Sequence, residues 1–218
     1  MGMIARMTAF IFAGLLAGCT AHTSSDAPSA HGTGLREFPA AGFGESYRLP
    51  DSKLTKYNRI YLDELRIEFD RGWISSQNMT DPYRLTDRDV QLIKNNLANE
   101  FRNIFTAKLT QSGRFQIVDT PDKTGLTLRP TILNLIINNP DNLQPYQSVT
   151  LAEVSASMTI SLEVLDSASD ETLLMLTDRG RTRDYINYSQ QESIKNRADI
   201  SKLLLDWSSA LAVILETQ

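Results

Sequence analysis

At 218 residues, with 41% hydrophobic and 22% charged side chains, the chain has the length of one domain with tails and the composition of a folded protein rather than a disordered one. Its formal charge is -4, from 22 Lys and Arg against 26 Asp and Glu, so there is no basic excess to hold a nucleic acid. One cysteine excludes a disulfide within the chain and any zinc site built from cysteines.

In chain order, the first element is an address. Arg6 is the only charged side chain among residues 1–18, and a mostly apolar run from Met7 to Gly18 follows it. That run has the size of a signal h-region, whereas a helix crossing a hydrocarbon core of roughly 30 Å needs about 20 residues. Arg6 stands where myristoylation of Gly2 would require Ser or Thr. The run ends Leu16-Ala17-Gly18-Cys19, and its last residue is the chain's only cysteine. This motif resembles the lipobox of bacterial lipoproteins. The resemblance implies a diacylglyceryl thioether on Cys19, cleavage between Gly18 and Cys19, and acylation of the new amine. The plainer reading, a secreted protein whose signal happens to end at a cysteine, would leave an exposed thiol in an oxidising compartment. Thr20, where an Asp would imply retention at the inner membrane, implies an anchor at the periplasmic face of the outer membrane.

Residues 20–34 are rich in Ala, Ser, Thr, Gly, His and Pro and lack apolar periodicity, as expected of a flexible tether. His22 and His31, the only histidines, both fall here. Nothing fixes their geometry as a metal pair, so solvated tether residues and no metal or cofactor are expected, and the folded part lacks the usual general base. Phe38, Phe43, Tyr47 and Leu49 are too apolar for a free tether and are expected to rest on the domain surface. The expected division is a signal over 1–18, a tether and surface-docked lead-in over 19–52, and a single domain over 53–218.

Within that domain, 58–69 is rich in Ile, Leu, Tyr and Phe and reads as a strand. A polar loop with Gly72, Pro82 and an exposed Trp73 is expected next. Thr86 then opens a helix as its N-cap, with Asp89 at the third position. Val90, Ile93, Leu97, Phe101, Ile104, Phe105 and Leu109 recur at three- and four-residue spacing, one apolar stripe that ends at Ser112-Gly113. Strands are expected over 114–118 and 126–137, with a turn between them. From Ala152 to Val164 every second residue is apolar, which predicts a strand with one face in the core and one in water. Asp166 to Asp170 turn the chain, and 171–185 returns as the hairpin partner. Ser189 to Glu192 fit a capping box, and a last helix carries Ile200, Leu203, Leu204, Trp207, Leu211, Ile214 and Leu215 on one face. The order β-α-β-β-β-β-α predicts a two-layer α+β sandwich, its sheet mostly antiparallel, with two long helices on one face.

The runs Gly42-Phe43-Gly44-Glu45-Ser46-Tyr47-Arg48-Leu49-Pro50, Tyr57-Asn58-Arg59-Ile60 and Val164-Leu165-Asp166-Ser167 resemble, over most of residues 40–216, an uncharacterised family of bacterial lipoproteins. That resemblance implies membrane anchoring and brings no activity or catalytic residue with it.

Catalytic patterns are sparse. There is no Gly-x-Ser-x-Gly elbow, and Gly42-Phe43-Gly44 lacks the third glycine and the preceding strand of a dinucleotide site. Asp119 with Asp122, and Asp166 with Asp170 and Glu171, flank turns, where Asp is favoured for bonding nearby backbone; a glycosidase-like acid pair is the other reading. Arg179, Arg181 and Arg183 alternate along the return strand and so share one face, a row able to hold carboxylates or phosphates of a partner. The same row reads more plainly as a solvated face paired to Glu153 and Glu163, and strand order decides between them. Trp73 and Tyr146 could anchor a protein partner or pack on the domain's own edge. The expectation is a non-enzymatic binding or scaffold module whose partners are the membrane, through the anchor, and another envelope protein or an anionic envelope polymer, with no nucleic acid. Two alternatives stay open: a carboxylate-based enzyme on envelope glycans or lipids, and a carrier of an apolar ligand in a dry cavity under Phe101 and Phe105.

Overall fold

The structure, a computed structural model, describes residues 30, 33–80, 84–138, 155–181 and 199–218. Cys19, both histidines, Tyr146, Glu153, Arg183 and the 189–192 motif lie outside the described residues. The elements are β1 (Arg36–Glu37), β2 (Glu45–Arg48), β3 (Arg59–Leu62), β4 (Arg66–Phe69), α1 (Trp73–Thr80), α2 (Asp87–Thr110), β5 (Gln116–Val118), β6 (Leu126–Asn138), β7 (Ser155–Asp166), β8 (Thr172–Arg181) and α3 (Asp199–Thr217), with a single 3-10 turn at Leu54–Lys56. The strands form one open mixed sheet in the order β1-β2-β8-β7-β6-β3-β5, and β4 also pairs β6.

This corrects the expected sandwich of a mostly antiparallel sheet with two helices. A third helix, α1, is present, and β3 runs parallel to both β5 and β6, as β4 does to β6. The reason is connectivity. The chain from β3 to β5 passes through α2, and a strand that follows a helical crossover arrives parallel to the one before it. The strand expected over 58–69 is two strands, laid end to end along β6: β3 pairs Leu126–Leu128 and β4 pairs Thr131–Leu135. β6 bulges between Leu133 and Ile136, beside Ile67–Phe69 of β4, with Asn134 at φ 52, the left-handed region that asparagine tolerates.

Residues 36–48 are not a lead-in resting on the surface. β2 pairs antiparallel with β8 and extends the sheet, and Phe43 is buried. Gly42 makes that route possible. It sits at φ +89, and a Cβ there would lie 2.6 Å from Ala210 Cβ on α3.

The two long helices follow their periodicity. Ile93, Leu97, Phe101, Phe105 and Leu109 of α2 are buried, as are Ile200, Leu204, Trp207, Leu211, Ile214 and Leu215 of α3. The helices run side by side in the same direction: Ser201 donates to Glu100 at 2.9 Å near one end, and Arg114 Nη1 reaches the Glu216 carbonyl at 3.0 Å near the other. Beneath them lie Leu126, Leu128 and Ile132 of β6, Met158, Ile160, Leu162 and Val164 of β7, and Leu174 and Leu176 of β8. The opposite face of β7 is less wet than its alternation predicts. Ser157 and Ser161 are buried there, and the Ser161 hydroxyl has no hydrogen-bond partner among the described residues.

Thr86 caps α2 with a complete capping box: its Oγ1 accepts from Asp89 N, and the Asp89 carboxylate accepts from Thr86 N at 2.9 Å. The Thr86 hydroxyl also donates to the Asp89 carboxylate at 2.6 Å, and this bond, followed by that from Thr86 N, holds the Asp89 carboxyl below the usual carboxylate range. Thr86→Ala is therefore expected to lower stability by about 1 kcal/mol at neutral pH. Because a depressed pKa stabilises only above the unfolded value, the difference from wild type should shrink as the pH falls through the carboxylate range in chemical denaturation. A gap that stays constant on acidification would show that the Asp89 bonds contribute nothing.

Candidate functional site

The structure moves Trp73 from the expected exposed loop into the core. It opens α1, is 5% exposed, and donates its indole N–H to the Ile137 carbonyl at 3.0 Å while its ring stacks on Phe69 at 5.0 Å between centroids. An indole can be buried when its N–H finds such an acceptor. The ring is thus not available as an exposed anchor for a partner.

Arg179 and Arg181 both lie on β8, opposite Thr159 and Ser157 of β7. Arg179 is exposed and forms no ion pair among the described residues. Glu163 does not neutralise it. That residue faces Met175 across the ladder and pairs instead with Arg129 of β6, at 3.5 Å. Asp178, on the other parity as expected, turns toward the helices and accepts from Trp207 Nε1 at 2.8 Å.

The turn carboxylates are occupied locally. Asp122 Oδ1 accepts from the Thr124 N–H and hydroxyl, both at 2.8 Å, and these bonds hold its carboxyl below the ordinary range; its other oxygen meets Arg59 Nη1 at 2.6 Å. Asp166 Oδ1 accepts from Ala168 N at 2.8 Å and Ser169 N at 3.1 Å, and its Oδ2 accepts the Tyr57 hydroxyl.

Sequence reasoning missed a cleft of about 470 Å³ between α2 and the chain joining β3 to β4. Asp63, Glu64, Leu65 and Ile67 form one wall. The other is α2, which presents Gln91, Lys94, Asn95, Asn99 and Arg102 there, with Ala98 and Phe101 deeper. Arg102 Nη2 donates to the Leu62 carbonyl at 3.1 Å, and Lys94 Nζ lies 5.8 Å from the centre of the Phe69 ring. Gln91 donates to Asn95 at 2.9 Å, one turn along. Asp63 leans toward Arg129, at 3.9 Å. Three carboxamides and charges of both signs line this cleft, and Phe101 and Phe105 stack on each other at 3.9 Å beside it. The signal for it was the i, i+4 run of polar residues flanking the apolar stripe of α2, which by itself reads as a solvated face. Among the described residues there is no group of three or more potential metal ligands, and no helix is long and apolar enough to cross a membrane.

No curated protein matches the chain. Among solved structures, the PelC dodecamer from Paraburkholderia phytofirmans aligns over 79% of this chain and 96% of its own, at 9% identity and a TM-score of 0.34. A variant of the same PelC aligns at 9% identity and a TM-score of 0.36, over 80% of this chain and 98% of that one. A neuraminyllactose-binding hemagglutinin homologue from Helicobacter pylori covers 77% of this chain and 89% of its own, at 9% identity and 0.34. Likeness at these scores carries no conclusion about function. The model of one family, described as a protein of unknown function, DUF3313, matches residues 34–211. By that match, which spans β1 through most of α3, the chain belongs to the DUF3313 family.

Proposed function

We propose that the protein is a lipid-anchored bacterial envelope lipoprotein, held through acyl chains on Cys19 at the periplasmic face of the outer membrane, whose domain acts as a non-enzymatic binding or scaffold module. The observation that carries this reading is the order of residues at the N-terminus: Arg6, the apolar run from Met7, then Leu16-Ala17-Gly18 ahead of the chain's only cysteine. Each buried methylene contributes about 0.8 kcal/mol, so two or more acyl chains hold a domain stably where one does not. Thr20 supports the outer-membrane destination. The stretch over residues 20–34, rich in Ala, Ser, Thr and Gly, has the composition of a tether between anchor and domain. The polar cleft beneath α2 and the exposed Arg179, which forms no ion pair among the described residues, support binding, with another envelope protein or an anionic envelope polymer as the partner.

Growth on radiolabelled palmitate tests the anchor. The wild-type chain is expected to take up label and sediment with membranes. Cys19→Ala is expected to lose the label and release the domain to the soluble fraction. A Cys19→Ala chain that still sediments with membranes, or an unlabelled wild type, would overturn the reading.

A further inference from the structure

The cleft has a backbone wall as well as a side-chain wall. Asp63 N donates to the Leu128 carbonyl and Asp70 N to the Leu135 carbonyl, so these two residues turn their peptide groups toward β6. In a strand the peptide groups point to alternate sides. Arg66 and Glu68 therefore share the direction of Asp70, and the N–H and C=O of Ile67 and Phe69 point the other way, away from β6, on the edge where Ile67 lines the cleft. No strand among the described residues pairs that edge of β4: β5 reaches only Arg59–Tyr61 of β3 and then stops. Just past that stop, the Leu62 carbonyl is met by a side chain, Arg102.

α2 overhangs the open edge. Lys94 lies over Phe69 at one end and Arg102 reaches Leu62 at the other. Eight residues of helix span about 12 Å, close to the roughly 13 Å of a four-residue strand such as β4. The charge of the cleft is uneven. Asp63 is drawn to Arg129, which leaves Glu64 as the one lining carboxylate outside an ion pair, against two cations, Lys94 and Arg102, that form none among the described residues.

We propose that this open edge of β4, roofed by α2, is the docking site for an extended segment of a partner protein, which adds to the sheet as a further strand and sets an acidic side chain against Lys94 and Arg102. Unpaired N–H and C=O groups at strand spacing are matched along their length by another extended peptide backbone. Gln91, Asn95 and Asn99 line the rim, where they can meet polar side chains of the added strand. The proposal deepens the binding-module reading given above and is independent of the anchor.

The test uses the full chain in detergent against an array of nonapeptides, one half carrying Asp or Glu at alternate positions and the other half Lys. The acidic half is expected to capture the protein. With the strongest acidic peptide bound, the amides of Ile67 and Phe69 should exchange with deuterium at least tenfold more slowly. Lys94→Glu with Arg102→Glu should weaken that peptide tenfold or more and move the preference to the lysine half. Because Arg102 also holds the Leu62 carbonyl, Lys94→Glu alone serves where the double variant unfolds, with the same direction of change. Three results would overturn the proposal: no saturable capture by either half, capture that leaves both amides unprotected, or protection without peptide that grows with protein concentration, which would assign the edge to a second copy of this chain. None of these bears on palmitate labelling, so the docking site and the anchor can fail separately.

Discussion

Trp207→Ala is expected to lower the stability of the domain by about 3–5 kcal/mol, on the order of 10 °C in melting temperature. Trp207 is 2% exposed in α3. Its ring lies against β8 at Gly180, where an added Cβ would come within 2.7 Å of Trp207 Cζ2 and within 2.9 and 3.0 Å of the Leu203 methyl carbons. Its N–H is also the hydrogen bond of Asp178 on the same strand. Truncation thus removes a large buried ring and leaves a carboxylate facing an emptied site without its donor. The reciprocal change should show the same contact from the other side. Gly180→Val is expected to cost about 1–3 kcal/mol by overpacking, and that cost should fall by about 1 kcal/mol or more in a Trp207→Ala background, because the two changes share one contact. Strictly additive costs in chemical denaturation would show that the indole does not rest on Gly180.

Tyr57→Phe is expected to cost about 1.5–3 kcal/mol at neutral pH, the worth of a hydrogen bond to a charged group. Tyr57, 5% exposed, follows the 3-10 turn and donates to Asp166, the residue whose other oxygen closes the β7–β8 turn. One carboxylate therefore ties the chain entering β3 to the β7–β8 hairpin. Lys56 stands by at 4.0 Å from Asp166. The Tyr57 hydroxyl, ahead of the turn amides, holds the Asp166 carboxyl below the usual range. Burial, and then the bond to Asp166, pushes the Tyr57 hydroxyl above its ordinary value of 10.0. The two signs differ. The Asp166 contribution is present above its unfolded pKa and is lost as the pH falls through the lower folded value. The Tyr57 contribution is complete below 10.0 and is lost as the pH rises through the higher folded value. The stability gap between wild type and Tyr57→Phe should be widest between these limits and close toward both. A gap independent of pH from acid to alkali would refute the coupling and leave only the loss of a hydroxyl.

What could be read along the chain was whatever a short stretch of residues decides. The stripe from Ile93 to Leu109, its cap at Thr86, the alternation through Met158, Ile160, Leu162 and Val164, and the apolar face of α3 each need only their own neighbours and a period of 3.6 or 2. The helix over Trp73–Thr80 was not legible, because that segment has no amphipathic period and its one anchor, Trp73, is buried by a hydrogen bond to β6, far along the chain. The carboxylates of the turns at Asp122 and Asp166 were legible for the same local reason as the helices: their acceptors find backbone N–H groups two or three residues away.

Strand direction, sheet membership and the cleft depend on partners distant in sequence. Nothing in Glu45–Arg48 announces that it will lie beside β8, and nothing in Arg66–Phe69 announces that its outer edge will stay open under α2. Arg102 reads as one more polar residue of a solvated helix face until folding carries the Leu62 carbonyl to within 3.1 Å of it. The address at Cys19, by contrast, is a linear message for other proteins to read in an extended chain, so it needs no fold to be legible. The arginines of β8 stand between the two cases. Their shared face follows from the period of a strand, but whether Glu163 cancels their charge depended on register, and register set Glu163 beside Met175 and gave it to Arg129. Residue order settles which atoms lie on one face of one element; only the closing of long loops settles which faces meet, because those contacts gain their energy after the chain entropy between them has been spent.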